Sequence, residues 1–385
     1  VFALTGAYNF NTDAFWKNFL RDLELGQLDN TEGYVCATVP QTGPAGIGFI
    51  SMLGWGNAVT ILPEMMYRQF GDEEALPRQY ESMKLFVEAE IRKMGKKNLW
   101  IGPSLGDWLA MGKGIAWQAM HNNPVSNAFI VHDLKVISET AERLGKREDA
   151  ARYRRQLAAT TDAYIKKFVS KKGIVAKDYQ SAYIMALKFV LPEGELRERV
   201  KKNFVANIRK NGLQTGFFAT EHLLPLLVEA GEQKLAYDVL LQENCPGWMY
   251  QVKCGATTTW ERWDALKPDG TVNEEKMAGS GENMVSFNHY AFGSVGEFYY
   301  QYILGIRPEK PGFAKLHFAP YPDERLGGVS GSYLSVAGKI ESAWRYEPDG
   351  CHIRLATPVE AVVLLPDGRS ENVPAGTYEW TVKRP

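Results

Sequence analysis

The segment 257–266, TTTWERWDAL, places a carboxylate and a guanidinium between two tryptophans. Tryptophan offers a wide apolar face and one N–H donor, so it is usually buried in a core or lies against a planar ligand. A carboxylate beside such rings loses solvation, and its protonation then depends on its neighbours. Glu261 is therefore a candidate for acid–base chemistry in a pocket lined by tryptophan rings. A structural Glu261–Arg262 pair on a core strand is an equal alternative.

Three other segments join an aromatic or imidazole ring to a polar side chain: 53–58 (LGWGNA), 106–110 (GDWLA) and 286–290 (SFNHY). Asp107 and Asn288 are also ordinary N-cap residues, and a histidine such as His289 at a helix start is more often structural than catalytic. The sequence has no HxxxH or other metal-ligand spacing, no GxSxG elbow and no phosphate-binding loop. We therefore expect no cofactor and no metal.

Composition excludes several classes of partner. With 385 residues and a formal net charge of −1, the chain has no electrostatic attraction for nucleic acid or for an anionic membrane. Its apolar runs are too short to span a bilayer. Four cysteines without C-x-x-C spacing argue against a zinc site and against a dense disulfide framework. The aromatic content of 12% suits a carbohydrate site and equally a large core.

The elements that must position these segments are mainly helical up to about residue 305, because apolar residues recur there every three or four positions. Long glycine-containing loops lie around 28–55, 95–123, 243–260 and 264–286. Roughly ten or eleven helices in sequence-adjacent pairs predict a double ring of helices, an (α/α) toroid, whereas the competing α-solenoid would show a repeat of fixed period. The predicted helices span 11–27, 57–70, 73–94, 124–144, 147–169, 180–190, 194–209, 216–230, 233–242 and 288–304.

The pattern changes at 305–311, GIRPEKP. Beyond it, short runs of alternating or β-branched residues are separated by turn sequences such as PDG, which predicts a small antiparallel β-sandwich. We expect this sandwich to be a packing module without chemistry of its own. The predicted domains are a helical domain over 1–306 and a β-sandwich domain over 307–385.

Taken together, these segments resemble one known family. Inverting bacterial α-L-rhamnosidases, glycoside hydrolase family 78, contain sequences similar to GWGNA, LPEMMYRQFGD, GDWLA, LLQENCPGWMYQVKCGATTTWERWD and SFNHYAFGSVGEFYYQYILGIRP. The resemblance covers nearly the whole chain, including the β-sandwich. Its most specific part is ATTTWERWD followed by SFNHYAFG and then Gly-Ile-Arg-Pro.

The resemblance implies an (α/α)6 barrel that removes terminal α-L-rhamnose from a rhamnose-containing oligosaccharide or glycoside. Glu261 matches the general base that activates water, and His289 matches a sugar-contacting histidine. Trp55 and Trp108 match aromatic walls of the rhamnose pocket. Further candidates for substrate binding in the same segments are Asn57, Asp107 and Trp263.

Two departures from the family pattern affect this interpretation. Inversion needs an acid and a base about 6.5–9.5 Å apart, and Glu261 supplies only the base. The family's acid lies in a motif resembling Asp-Glu-Arg-x-Gly-Trp-x-Gly-Asp, which this sequence lacks, so we expect the acid upstream of Val1 and the helical domain to be truncated at its N-terminus. The family motif Gly-Trp-Gly-Asp ends here in Asn57.

Other interpretations stay open. The missing acid and Asn57 favour a non-catalytic rhamnoside-binding homologue. Another toroid enzyme, a phosphorylase or a polysaccharide lyase, is a further alternative. A phosphorylase would need a phosphate pocket and a lyase would need a basic cleft, and the sequence indicates neither feature. We expect no nucleic-acid or membrane partner, while a homodimer and a cytoplasmic or periplasmic location in a bacterium are left open.

Overall fold

The computed structural model of the chain describes residues 1–28, 32–36, 38–40, 53–274 and 285–383. They form two compact units. The first contains Asn18–Leu62 and Pro77–Gly293 together with Val1, and the second contains Phe2–Lys17, Pro63–Leu76 and Ser294–Pro385. The domain boundary expected at residue 306 stays a prediction.

Helices dominate the described residues before 305, as the sequence predicts. Those predicted between 11 and 242 agree closely with the observed bounds, because apolar periodicity is a local property of the sequence. The helices are α1 Ala3–Asn9, α2 Asp13–Leu28, α3 Ala58–Phe70, α4 Ala75–Met94, α5 Ile115–His121, α6 Asn123–Arg143, α7 Arg147–Phe168, α8 Gln180–Met185, α9 Glu195–Asn211, α10 Phe217–Glu229, α11 Gln233–Leu240, α12 Trp248–Lys253 and α13 Gly296–Phe298.

Several predictions of local structure were wrong. Helices α1, α5 and α12 were missed because six or seven residues are too few to show a helical period. The helix predicted over 288–304 is present from Ala291 but changes type along its length, from a 3₁₀ turn Ala291–Val295 through α13 to a π-helical turn Tyr299–Ile303. Asn288 therefore does not begin a helix, since the neighbouring backbone N–H of His289 bonds to the Thr259 carbonyl. No helix in the described residues is long and apolar enough to cross a bilayer.

The core of the first unit lies between α4, α6 and α7. Helix α6 is buried on nearly all sides, and Ile130 and Leu134 pack in one cluster with Tyr80 and Phe86 of α4. A helix that is buried on nearly all sides must be surrounded by other elements. Gly145 has a φ of 71° and allows the tight reversal from α6 to α7.

The second unit contains the sheets. In the described residues the strands are β1 Ile306–Lys310, β2 Lys315–Phe318, β3 Gly328–Ser335, β4 Gly338–Glu347, β5 Gly350–Thr357, β6 Ala361–Leu364, β7 Ser370–Val373 and β8 Gly376–Val382. Their orders are β1–β2–β6–β7 and β3–β4–β5–β8. The ring centroids of Phe318 and Trp380, one from each sheet, are 6.2 Å apart, as expected of a sandwich.

One strand pair departs from the predicted antiparallel sandwich. Strands β2 and β6 are parallel, with Leu316 opposite Ala361. The connection between them passes through β3, β4 and β5 of the other sheet, and a long crossover of this kind is what a parallel pair requires. The remaining strand pairs are antiparallel.

Candidate functional site

The WERW segment and the SFNHY segment lie side by side. The backbone N–H of Glu261 donates to the carbonyl of Ser286 at 2.8 Å, and the N–H of His289 donates to the carbonyl of Thr259 at 2.9 Å. The Thr259 hydroxyl in turn donates to the His289 carbonyl at 2.7 Å. These bonds hold the half-buried Glu261 and His289 as neighbours.

The imidazole of His289 is held in one tautomer. Its Nδ1 accepts the backbone N–H of Ala291 at 3.2 Å, so the proton of the neutral ring lies on Nε2. Burial lowers the pKa of His289, and the nearby Glu261 carboxylate opposes that shift. Its ring stacks on Phe217, with centroids 4.8 Å apart and planes 30° apart. His289 is thus a neutral donor suited to an oxygen of a ligand.

Asp107 stabilises the beginning of α10. Its carboxylate is fully buried and accepts the backbone N–H groups of Gly216, Phe218 and Ala219 at 2.8, 2.7 and 3.1 Å. The first N–H groups of a helix have no acceptor within that helix, so a carboxylate from another segment satisfies them. Burial raises the pKa of Asp107, and these hydrogen bonds oppose the shift. The contacts support a positioning role for Asp107 rather than direct contact with a substrate.

Trp108 is tied to the same helix start. Its carbonyl accepts the N–H of Phe217 at 3.1 Å. A side chain at Gly216 would collide with this carbonyl, so only glycine permits the close approach of the two segments. The backbone of Trp108 is therefore held next to Phe217, and its indole is half-buried.

Trp55, from the LGWGNA segment, also lies beside the beginning of α10. Its half-buried ring lies edge-on to Phe217 and Phe218, with centroids 6.0 and 5.1 Å away. The indole N–H is buried and has no hydrogen-bond partner among the described backbone and side chains. A buried donor without an acceptor costs free energy, so the Trp55 indole N–H is a candidate donor to a ligand and its ring a candidate apolar wall.

Asn57, two residues after Trp55, is fully buried. Its side-chain oxygen accepts the N–H of Gly54, and its amide donates to the carboxylate of Asp133. Glu90 is adjacent to this pair, and its pKa is raised well above the usual range by burial and then by Asp133. These contacts support a structural role for Asn57 in holding the loop. Glu90 and Asp133 were not identified from the sequence, where each lies within an ordinary helical pattern.

Trp263 faces the core. It is fully buried, its indole N–H donates to the carbonyl of Thr215 at 2.9 Å, and its ring stacks on Phe292 at 3.8 Å. Arg262, beside it, forms an ion pair with Asp264 at 3.0 Å. Both tryptophans of WERW are thus buried, since Trp260 is only 3% exposed, and these contacts favour packing for Trp263 over contact with a sugar.

The Phe217 ring contacts residues from two of these segments. It was not among the residues predicted from the sequence. Its ring contacts Trp55, His289 and Phe292, which come from two different loops. The sequence feature that could have pointed to Phe217 is the aromatic pair in GFFATEH, which directly follows a glycine at the start of a predicted helix. Trp55 and His289 therefore meet at Phe217, the first residue of α10, with Glu261 beside His289 and the Trp108 carbonyl bonded to the Phe217 N–H.

Two family matches account for nearly all of the chain. Residues 1–303 match the bacterial alpha-L-rhamnosidase 6 hairpin glycosidase domain, and residues 305–378 match the bacterial alpha-L-rhamnosidase C-terminal domain. The chain belongs to the bacterial α-L-rhamnosidase family. This membership confirms the resemblance seen in the sequence and the predicted helical toroid followed by a sheet domain.

The chain is also similar in sequence to α-L-rhamnosidases from several organisms. An alpha-L-rhamnosidase from Alteromonas sp. (strain LOR) is 32% identical over 367 residues, which cover 93% of this chain and 38% of the relative. One from Streptomyces avermitilis is 31% identical over 380 residues, covering 97% of this chain and 35% of the relative. The chain thus spans less than half the length of these relatives.

Solved structures of α-L-rhamnosidases have the same fold. The crystal structure of the Streptomyces avermitilis alpha-L-rhamnosidase complexed with L-rhamnose matches with a TM-score of 0.89 at 29% identity, covering 99% of this chain and 37% of that one. The native enzyme from Aspergillus terreus matches with a TM-score of 0.89 at 28% identity, covering 99% of this chain and 44% of that one.

Proposed function

We propose that this chain is the catalytic part of an α-L-rhamnosidase that removes terminal α-L-rhamnose from a glycoside or oligosaccharide. The observation that carries the proposal is the pairing of the WERW and SFNHY segments, which sets a half-buried carboxylate beside a neutral histidine. Sugars combine apolar C–H faces with hydroxyls, so a pocket for them needs flat rings and convergent polar groups. Trp55 and Trp108 supply rings, and His289 and the Trp55 indole supply donors.

In the proposed mechanism Glu261 is the general base. It removes a proton from the water that attacks the anomeric carbon, on the face opposite to the departing oxygen, and the sugar is released with inverted configuration. His289 donates to a sugar oxygen through Nε2. Arg262 is paired with Asp264, and Glu261 takes part in no ion pair among the described residues.

The general acid has to be a second carboxyl group. Asp107 does not suit this role, because it is fully buried and its oxygens already accept three backbone N–H groups. We propose that a carboxyl group outside these 385 residues supplies the acid, because the motif that carries it in the resembling sequences is not present here.

The direct test replaces Glu261 with Gln in the full-length protein. We expect hydrolysis of p-nitrophenyl α-L-rhamnoside to fall about 10²–10⁴-fold, whereas calorimetry still detects L-rhamnose binding. Glu243→Gln is the matched control, because Glu243 is an exposed carboxylate paired with Lys253. Turnover by Glu261→Gln within a few-fold of the unchanged protein would exclude Glu261 as the base.

The configuration of the first product tests inversion separately. Proton NMR of the early reaction mixture should show β-L-rhamnose before mutarotation. Early accumulation of the α-anomer would indicate a retaining double displacement and would make Glu261 a nucleophile.

A further inference from the structure

The outer face of the sheet β3–β4–β5–β8 contains a groove. Its volume is about 410 Å³, which is within the range of sites that bind small molecules. Side chains alternate between the two faces of a strand, so Arg345 and His352 are exposed in the groove, whereas Trp344 and Ile353 beside them are buried. All of the residues that line the groove belong to the second unit.

Small residues opposite long ones give the groove its shape. In the register of the sheet, Ala343 lies between Ser330 on one neighbouring strand and Arg354 on the other. Gly328 lies opposite Arg345, and a side chain at Gly328 would meet the Cβ and Cγ atoms of Arg345 at 3.2 and 3.3 Å. The absence of a side chain at Gly328 therefore lets the stem of Arg345 lie against the neighbouring strand. The result is a depression over small residues that is bordered by two arginines.

Three cationic side chains meet in this groove. His352 lies directly opposite Arg345, and Arg354 follows His352 by two residues on the same face of β5. Nε2 of His352 is 2.8 Å from an oxygen of Asp349, and this contact raises the pKa of His352. Like charges that lie directly opposite each other destabilise a sheet. An anion bound between these side chains would relieve their repulsion.

Arg345 is the cation best placed to bind such an anion. The guanidinium of Arg354 is 3.7 Å from Glu341 and 3.9 Å from Glu379, so neighbouring carboxylates offset part of its charge. Arg345, in contrast, takes part in no ion pair within the part of the chain that the structure describes. A guanidinium presents a planar fork of N–H donors that matches both oxygens of a carboxylate. The charge of the groove is therefore complementary to a carboxylate at Arg345.

We propose that this groove is a second carbohydrate-binding site, which takes the carboxylate-bearing sugars of an acidic oligosaccharide. Arg345 binds the carboxylate, while Glu379 and Thr381, which also line the groove, offer acceptors to the sugar hydroxyls. The choice of a saccharide rests on the proposed function, because a glycoside hydrolase meets oligosaccharides as its substrates. An acidic peptide would satisfy Arg345 but would bring no row of hydroxyls to Glu379 and Thr381.

Calorimetry on the full-length protein tests the site with three probes: trigalacturonate, its fully methyl-esterified form and triglutamate. The ester keeps the three sugars and removes their charge, and triglutamate keeps the charge and removes the sugars. We expect trigalacturonate to bind at least about threefold more tightly than either. Arg345→Ala should weaken trigalacturonate about threefold to tenfold, and Arg345→Lys should weaken it less, because lysine keeps the charge but lacks the fork.

Two further variants separate the groove from general surface charge. Ala343→Tyr fills the groove without a change in charge, and it should also weaken trigalacturonate. Lys339→Ala is the matched control, because Lys339 is an exposed cation on the same face of β4 that pairs with Glu341 and does not line the groove. It should bind trigalacturonate like the unchanged protein. Thermal melts check that each variant is folded, and L-rhamnose affinity should be the same in all of them.

Other outcomes would overturn the inference. These are no binding of trigalacturonate by the unchanged protein, equal binding of the methyl ester, and binding that folded Arg345→Ala or Ala343→Tyr leaves intact. Equal or tighter binding of triglutamate would identify the ligand as an acidic peptide and would overturn the choice of a saccharide. Absence of L-rhamnose binding by the unchanged protein would reject the proposed function, whereas the trigalacturonate titrations, which involve no rhamnose, would still decide whether the groove binds acidic sugars.

Discussion

The side-chain amide of Asn57 donates a hydrogen bond to the buried carboxylate of Asp133, 76 residues away in the sequence. The oxygen of the same side chain accepts the N–H of Gly54, so Asn57 connects the Trp55 loop to α6. Glu90 of α4 lies beside this pair, where burial and then Asp133 raise the pKa of its carboxyl group and the Asn57 amide opposes the shift. An aspartate at position 57 would add a third carboxyl group to this buried cluster. Asn57 therefore has a structural reason to be an amide.

We predict that Asn57→Asp destabilises the protein by about 3 kcal/mol, because it removes a donor and leaves a further carboxylate buried. Glu90→Gln returns an amide to the cluster, so the double variant should recover at least half of the loss. Urea unfolding measures both. The exposed Asn203, which donates to the carbonyl of Lys172, is the control, and Asn203→Asp should cost less than about 1 kcal/mol. A double variant no more stable than Asn57→Asp alone would contradict the proposed cluster.

Asp107→Asn should weaken ligand binding through α10 rather than through direct contact. An amide presents one acceptor and an N–H₂ group to three backbone donors, so we expect a loss of about 1–3 kcal/mol in stability. L-rhamnose affinity should fall as well, because Phe217 and hence His289 lose their fixed position. Asp323→Asn, at the cap of an exposed 3₁₀ turn in the sheet unit, is the control and should leave affinity unchanged. Unchanged stability of Asp107→Asn would rule out this capping role.

The tryptophans should separate into two classes. Trp263→Ala removes a fully buried ring and should cost about 3–5 kcal/mol of stability. Trp55→Ala and Trp108→Ala remove half-buried rings, and we expect mainly a loss of L-rhamnose affinity. Thermal melts and binding titrations on the same samples distinguish the classes. Weak binding by a Trp263→Ala variant with an unchanged melting temperature would place Trp263 in the pocket instead.

Stability should decrease as the pH falls below about 6.5, the ordinary pKa of histidine. Burial, with Lys188 and Lys135 nearby, lowers the pKa of His132 to about 3, and it lowers the pKa of His222 well below the usual range. The folded state then binds fewer protons than the unfolded state, so acidification favours unfolding. His132 stacks on Phe189, with ring centroids 4.5 Å apart, and phenylalanine can replace it there.

The test is the slope of unfolding free energy against pH between pH 7 and pH 5. His132→Phe should reduce this slope by up to about 1.4 kcal/mol per pH unit, the value for one proton. The exposed His352 is the opposite case, because its contact with Asp349 raises its pKa. Its stabilising contribution is present at low pH and is lost as the pH rises, so His352→Gln should make the slope steeper or leave it unchanged. An unchanged slope for His132→Phe would show that this residue does not bind a proton on unfolding.

Local sequence determined the elements of this protein and marked the segments that we propose carry its chemistry. Helices such as α4 and α7 were predicted closely because apolar periodicity reports which face will be buried, whatever that face later contacts. The change from a helical pattern to alternating strands near residue 306 is equally local. The WERW and SFNHY segments could be singled out because rings next to polar groups are unusual in both.

Only the tertiary structure decided which of those residues pack in the core. Trp55 and Trp263 look alike in the sequence, yet Trp263 bonds to Thr215 in the core whereas the Trp55 indole N–H has no partner among the described residues. Asp107 caps α10 through backbone N–H groups at Gly216 and beyond. These donors lie more than 100 residues further along the chain, so the local sequence around Asp107 does not reveal them. Side-chain roles depend on partners that folding brings from distant segments, and no local pattern contains the identity of those partners.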